Sequence, residues 1–490
     1  MSADVATEAM QIKNFIDGEW CDSSSGKWIE RQNPADLGQT IGRAPASTAS
    51  DARRAIDVAH KAFLEWREVL PAQRAVVLRD AIQIIRDRLD DMSRDLTLEQ
   101  GKPFNESRGE IVRGLEEAEY FIGEACRIEG RHIPSNRAGT VCYTTREPIG
   151  VVSAIVPWNY PFIAAMRKIA PAVVYGCSIV LKPARDTPFT SANIVKAFAD
   201  AGLPSGVLNL VTGHGSEIGD ELCSNPLVRG VSFTGSTPVG GAISQNAAKI
   251  GAKLQLEMGG KNPAILFEGA DLKKLAPEIT GGALTCTGQR CTSISRVIVH
   301  KTLHDEIVEL IKAQMAKVVV GDGMDEKTTM GPLVSEEQLN SVLDYVKTGV
   351  DQGAKIICGG NKLTGGVYDK GAYMEPTLMV DVKPDAVIAL EEVFGPVVSV
   401  IPFEELDEAL EIANSVAFGL AACAYTPRVD QALEFVKRIQ VGMTQVNMPT
   451  YCDPHAPFGG VKASGQGAFS VGYSSVDFFT NQKAVYIQGQ

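Results

Sequence analysis

The run Gly288-Gln289-Arg290-Cys291-Thr292 ends in the most reactive kind of group this chain could offer. Sulfur is soft, and a thiol ionises more readily than any hydroxyl, so a cysteine suits attack on a carbonyl carbon. Arg290 beside it would favour the thiolate and could also hold an anionic substrate. The bland reading is a small buried hydrophobe, which a lone cysteine most often is. Asn159 lies between two prolines in Pro157-Trp158-Asn159-Tyr160-Pro161. An amide held rigidly stabilises a developing oxyanion without reorganising, although a turn-forming asparagine has the same signature. Glu257 opens Glu257-Met258-Gly259-Gly260 in a mostly apolar stretch. Such a carboxylate has the makings of a general base, or of a hinge residue. Nucleophile, oxyanion donor and base together describe acyl chemistry at a carbonyl.

A second set of residues suits a nucleotide. Gly213-His214-Gly215-Ser216 and Gly235-Ser236-Thr237-Pro238-Val239-Gly240 each follow an apolar run and lead into a helical pattern. Free N–H groups at a helix start attract phosphate, and glycine lets a ligand approach the backbone. Neither turn is a strict G-x-G-x-x-G, so an ordinary strand-to-helix turn remains open. Lys182-Pro183-Ala184-Arg185 follows another apolar run and would put two cations at the edge of a nucleotide crevice. The alternative is a solvated lysine.

The elements that must carry these residues alternate. Residues 151–156, 178–182, 207–211 and 230–234 read as short apolar strands, with helices between them at about 162–175, 190–201 and 216–224. Buried strands separated by helices imply a parallel, doubly wound sheet. The pattern resumes after Glu257, with strands at 264–267, 297–300, 355–358 and 421–425 and helices at 275–285, 303–318, 336–352, 405–415 and 429–439. Two α/β domains are therefore expected, joined near 256–261. Upstream, residues 1–13 read as a disordered lead-in, 15–20 as a hairpin turning at Asp17-Gly18, 33–36 as a turn, 50–99 as helical and 104–126 as a further helix. Residues 128–150 are β-rich and suit an arm that pairs with another subunit. The strand-like piece at 483–487 is too short to stand alone and must join a sheet, in this subunit or a neighbour.

The 490 residues are 44% hydrophobic and 22% charged, with a net charge of −12. This argues against a nucleic-acid or anionic-membrane partner held by a broad basic surface. The ten cysteines are dispersed, with no C-x-x-C and no zinc spacing, so no metal site is expected and reduced thiols are. The start of the chain lacks the apolar core of a signal peptide, and no apolar run reaches the roughly 20 residues needed to span a bilayer. A cytoplasmic protein is expected.

Several of these runs carry a family resemblance. Pro157-Trp158-Asn159, Lys182-Pro183, Phe233-Thr234-Gly235-Ser236, Glu257-Met258-Gly259-Gly260-Lys261, Gly288-Gln289-Arg290-Cys291, Glu392-Val393-Phe394-Gly395-Pro396 and Phe458-Gly459-Gly460-Val461-Lys462-Ala463-Ser464-Gly465 resemble, in order and spacing, the aldehyde dehydrogenase superfamily. The resemblance runs from Phe15 nearly to the last residue. It implies an α/β fold with a Rossmann-like cofactor domain (1–127 and 148–256), a catalytic domain (257–455) and a β oligomerisation arm (128–147 and 476–490), assembled as a homodimer or homotetramer. It implies that Cys291 attacks an aldehyde, that Asn159 and the Cys291 backbone N–H hold the oxyanion, and that Glu257 activates water against the thioester left by hydride transfer to NAD(P). Lys168 matches a lysine that assists proton transfer. Lys182 would bind the adenosine ribose, Ser236 the pyrophosphate, and Glu392 with Phe394 the nicotinamide ribose. Trp158, Phe233, Gly235 and Gly215 would complete the cofactor crevice.

Two departures from the family pattern matter. NAD-preferring members often place a glutamate three residues after the motif lysine; here Arg185 stands there. A guanidinium pairs with a 2′-phosphate that a carboxylate would repel, so NADP is expected in preference to NAD. Phe469 stands where many members have a second glutamate near the cleft, with no evident replacement. For the substrate, Arg167 replaces the aromatic residue of members acting on neutral aldehydes and resembles an arginine of succinate-semialdehyde and lactaldehyde dehydrogenases. Arg290 precedes the nucleophile, as in the non-phosphorylating glyceraldehyde-3-phosphate type. Arg113, and with it Arg108, lies on the helix that lines the tunnel in relatives, while Tyr160 and Phe458 would wall it. Ala468 stands where the succinate-semialdehyde type has a second arginine. A small aldehyde bearing a carboxylate, phosphate or sulfonate is expected, unless these arginines make structural ion pairs. The other readings are a CoA-acylating semialdehyde dehydrogenase and a non-catalytic protein on the same fold.

Overall fold

The computed structural model describes residues 10–489. Of the expected lead-in, residues 1–9 lie outside the described residues. Its last part is ordered: Met10–Gln11 pairs in parallel with Gly42 and Arg43. The hairpin forms as expected, Asn14–Ile16 against Glu19–Cys21, and both turn residues are left-handed, Asp17 at φ 61° and Gly18 at φ 81°. That is the geometry an Asp-Gly turn favours.

An eight-stranded sheet dominates the first half. Its spatial order is Gly465–Gly467, Lys253–Glu257, Val228–Thr234, Val151–Ile155, Ser178–Lys182, Leu208–Leu210, Asn14–Ile16 and Glu19–Cys21. The five strands from Lys253–Glu257 to Leu208–Leu210 run parallel. From Val151–Ile155 the chain steps outward through two strands, then returns to lay Val228–Thr234 on the other side. This reversal opens a crevice at the carboxyl ends of Val151–Ile155 and Val228–Thr234, where ligands of open α/β sheets bind. A seven-stranded sheet forms the second half, with Asn262–Leu266 between Ile294–His300 and Ala421–Tyr425. Apolar side chains fill both faces of these central strands, as continuous apolar runs require.

The structure divides the helical stretch 50–99 into three helices, Ala49–Trp66, Pro71–Asp87 and Leu89–Gln100. Pro71 has no N–H to continue a helix, and its fixed φ suits the first turn of a new one. The second break is at Arg88, whose φ of −109° and ψ of 14° are not helical. The last helix ends on Gly101 at φ 97°, a C-terminal cap in the left-handed region. The next helix spans Phe104–Glu124.

A three-stranded sheet stands apart: His132–Ile133, Thr140–Pro148 and Thr480–Gln488. The last of these pairs antiparallel with Thr140–Pro148 over its whole length, so the late strand joins the arm of its own subunit. Its far edge pairs with no strand among the described residues.

Candidate active site

The loop that carries Cys291 begins where a helix fails. The small-residue run 281–287 is helical only to Leu284, the end of the Leu272–Leu284 helix. Cys286, Thr287 and Gly288 then take φ of 56°, 57° and 69°. For a β-branched threonine this conformation costs roughly 1–3 kcal/mol. Contacts hold it: Glu106 accepts the Cys286 N–H at 2.8 Å, and the Thr287 hydroxyl donates to Gly331 O at 3.0 Å. A Cβ on Gly288 would stand 2.1 Å from Gly395 O. The turn reverses the chain so that Cys291 faces a cavity of about 310 Å³, whose wall also contains Asn159, Glu257, Arg167, Arg290 and Phe458. Residues from both large sheets thus meet around one space.

Each of the three chemical groups is held by its neighbours. The Asn262 amide donates to Cys291 O at 2.7 Å and to Ser293 O at 2.9 Å, and accepts from Ala421 N at 3.0 Å. A Cβ on Gly260 would lie 2.5 Å from Cys291 O, which is why the motif needs glycine there. Asn159 Nδ2 donates to Gln289 O at 2.9 Å, leaving its second hydrogen for the cavity. Glu257 ends the strand Lys253–Glu257 and accepts from the Thr234 hydroxyl at 2.9 Å and from the Ser470 hydroxyl. Lys168 Nζ donates to the same Thr234 hydroxyl at 2.8 Å. Ammonium, hydroxyl and carboxylate therefore form one line of proton donation. Asn262 and Ser470 escaped the sequence reading. Ser470 stands next to Phe469, and its hydroxyl donates to the Glu257 carboxylate.

Arg290 favours the thiolate as expected, but burial outweighs it. Burial, together with the Glu392 and Glu257 carboxylates, pushes the Cys291 thiol up to about 12, although Arg167 and Arg290 act in the opposite direction. Arg290 does not by itself make a thiolate. Burial also pulls Lys168 down to about 8, against the attraction of Glu257.

The arginines differ in what they have left to offer. Arg167 makes a two-pronged pair with Glu117, at 2.6 and 2.8 Å, and its guanidinium lies 4.1 Å from the Phe458 ring. Its charge is largely answered within the protein. Arg113 reaches the same carboxylate only at 3.7 Å and stacks on Tyr451; its buried Nη2 has no partner among the described residues. Arg290 donates through Nη2 to Gly282 O and to the Thr450 hydroxyl, both at 3.2 Å, and its buried Nε is likewise free. Both line the cavity, as does Tyr160. Arg108 does not: it pairs with Asp90 at 3.1 Å on the outside of its helix.

The crevice at the first sheet's switch point fits a dinucleotide. Ser236 precedes the Thr237–Ala248 helix and its side chain makes no cap bond, so hydroxyl and helix-start N–H groups are available. A Cβ on Gly235 would strike the Phe233 ring at 2.5 Å. Gly215 opens the Gly215–Ser224 helix with nothing within 4 Å of where a Cβ would stand. Lys182 Nζ donates only to Pro183 O, at 2.9 Å. Arg185 leans on Asp186 at 3.3 Å, which it shares with Arg31, and remains half exposed. Across the crevice, Glu392 accepts the Gly260 N–H at 2.9 Å, and burial raises its carboxyl to about 7. Phe394, at φ 55°, meets Trp158 edge to face at 5.3 Å. Among the described residues there is no cluster of metal-ligating side chains and no helix long and apolar enough to cross a membrane.

Known proteins share this arrangement. The model of the Aldehyde dehydrogenase family matches residues 20–485. An alpha-ketoglutaric semialdehyde dehydrogenase from Bacillus subtilis is 41% identical over 99% of each chain. The NADP(+) succinate-semialdehyde dehydrogenase GabD of Escherichia coli is 37% identical over 95% of each chain. Among solved structures, an NADP-dependent enzyme from E. coli superposes with a TM-score of 0.95 at 36% identity, over 98% of each chain.

Proposed function

The chain belongs to the aldehyde dehydrogenase family, and from that premise we propose that it oxidises a small semialdehyde, with a carboxylate at the end remote from the aldehyde, to the dicarboxylate. The observation that carries this is the convergence of Cys291, Asn159 and Glu257 on one cavity whose wall also holds two arginines with unpartnered N–H groups, Arg113 and Arg290. The relatives from B. subtilis and E. coli, named for semialdehydes, support the same substrate class.

Cys291 gives its proton to Glu257 as its Sγ bonds to the aldehyde carbon. Asn159 Nδ2 and the Cys291 backbone N–H hold the resulting oxyanion of the thiohemiacetal. Oxidation of this adduct to a thioester needs a hydride acceptor, which a nicotinamide dinucleotide would supply when held by Lys182, Ser236 and Glu392. Glu257, its first proton passed on through Thr234, takes a proton from the water that attacks the thioester, and the acid leaves as Cys291 is restored. Lys168 passes protons to and from Glu257 through the Thr234 hydroxyl. Arg290 and Arg113 bind the remote carboxylate, while Arg167, fixed by Glu117 against Phe458, shapes the wall with Tyr160.

In the crevice, Lys182 takes the adenosine ribose, Ser236 with Gly235 and Gly215 the pyrophosphate, and Glu392 and Phe394 the nicotinamide ribose, flanked by Trp158 and Phe233. Arg185 has a half-exposed guanidinium available to pair with a 2′-phosphate, so NADP is used in preference to NAD. Residues 1–127 and 148–256 form the cofactor domain, 257–455 the catalytic domain, and 128–147 with 476–490 an arm through which copies of the chain associate.

The test is a steady-state comparison of succinate semialdehyde and its 2-oxo homologue with neutral aldehydes of equal length, with each cofactor. The expected result is higher kcat/KM for the charged aldehydes and with NADP. Arg290→Ala should raise KM for the charged aldehydes at least tenfold, since a charged hydrogen bond contributes about 1.5–3 kcal/mol, and leave the neutral ones unchanged. Equal kcat/KM for charged and neutral aldehydes would defeat the substrate reading.

A further inference from the structure

Lys102 is fully buried and belongs to neither the cofactor crevice nor the proton line to Glu257. Its Nζ donates to Asn159 O at 2.6 Å and to Glu110 Oε2 at 2.6 Å, and lies 4.0 Å from the Tyr160 ring centroid. The other Glu110 oxygen accepts Phe162 N at 2.8 Å and Ile163 N at 3.2 Å, at the start of the Pro161–Tyr175 helix. Cys286 Sγ donates to the same Asn159 carbonyl at 3.6 Å. One ion pair therefore grips residues 159–163 at three backbone groups. The pair is itself clamped from the second half of the chain. Phe104 N donates to Gly323 O at 2.9 Å, and a Cβ on Gly323 or Gly331 would strike the carbonyl of Lys102 or Gly101, at 2.4 and 2.0 Å.

A buried lysine in such a position is costly unless both its charge and its hydrogens are answered. Here they are answered by the backbone of the residue whose side chain faces the nucleophile. We propose that Lys102, seated by Glu110, is a positioning residue that sets the Asn159 amide against the carbonyl oxygen of the substrate. The proposal rests on reading Asn159 as the oxyanion donor. A donor aimed at developing charge is useful only if it does not have to reorganise, and a shift of about 1 Å can cost about a hundredfold in rate. Lys102 touches neither substrate nor cofactor and acts through Asn159.

The experiment is a double-mutant cycle on the full-length enzyme, read in the rate of the first-turnover burst of reduced nicotinamide. Lys102→Met should slow the burst by about tenfold to a hundredfold, change KM for the semialdehyde less than about threefold, and leave cofactor affinity by fluorescence titration unchanged. In an Asn159→Ala background, Lys102→Met should cause no further loss, because the group it positions is gone. Should Lys102→Met not fold, Lys102→Met/Glu110→Gln removes both charges and takes its place in the same cycle. A multiplicative loss in the Asn159→Ala background, or a wild-type burst in the folded Lys102 variant, overturns the proposal. A wild-type burst in Asn159→Ala alone brings down the reading of the site, and the proposal with it.

Discussion

A thiol that gives up its proton only near pH 12 needs help to attack a carbonyl at neutral pH. In Cys291 the obstacle is burial, aggravated by the carboxylates of Glu392 and Glu257. Help must come through the groups that can move a proton nearby, and Lys168 is placed to gate it. Below about 8 its ammonium donates to Thr234, which donates to Glu257, so the line is full and accepts no proton from the carboxyl. Above about 8 the neutral amine can receive one. Turnover should therefore rise as pH increases through about 8, and Lys168→Met should abolish that inflection and hold kcat near its low-pH level, as a pH–rate profile will read. At this scale the sequence was most informative about residue type. The readings of Cys291, Asn159 and Glu257 rest on residue type and on the glycines and prolines around them. Asn262, Ser470 and Lys102 offer no such sign, because each acts through a hydrogen bond to a partner far away in sequence. The partner of Arg167 was equally hidden, since Glu117 lies 50 residues away on another helix.

The helix Phe104–Glu124 concentrates these hidden partners. Glu106, Glu110, Arg113 and Glu117 are spaced four, three and four apart, which places them on one face. Glu106 holds the Cys286 turn, Glu110 seats Lys102, and Glu117 answers Arg167. An ionic stripe at helical spacing usually signals a solvated face; here it turns inward beside the apolar stripe of Ile111, Leu115, Ala118 and Phe121, and nothing in its spacing distinguishes it from a solvated one. Glu117→Gln would leave Arg167 buried without its partner and should destabilise the protein by about 3–5 kcal/mol, seen as a lowered Tm. Replacing the pair together, Glu117→Met/Arg167→Met, should recover most of that loss. Elsewhere the alternation of strands and helices was legible, because buried parallel strands are apolar throughout. The stretch 50–99 read as one helical region, since periodicity continues across Pro71 and only the proline marks the break. The left-handed turn at Cys286 and Thr287 was illegible, because neither residue favours it and only the Glu106 and Gly331 contacts impose it.

Viewed whole, the molecule has two large sheets meeting at the cavity and a small sheet projecting from them. The arm is exposed, with Tyr486 and Ile487 on the late strand and Val141 beside them uncovered in the single chain. Deleting residues 480–490 should remove the nine-residue ladder with Thr140–Pro148, and on the proposal that copies associate through this arm it should leave monomers, which sedimentation velocity will report. The sequence announced the arm by its alternation but could not say which subunit the late strand would join, because register depends on what lies opposite. That pairing has a consequence for how the chain is made. Thr140–Pro148 leaves the ribosome early and Thr480–Gln488 only after both large sheets have been supplied. Until then the early strand has only the two residues of His132–Ile133 beside it. The open edge of the early strand is meanwhile a template for strands of other unfinished copies, so completing the late strand also closes the arm against mispairing.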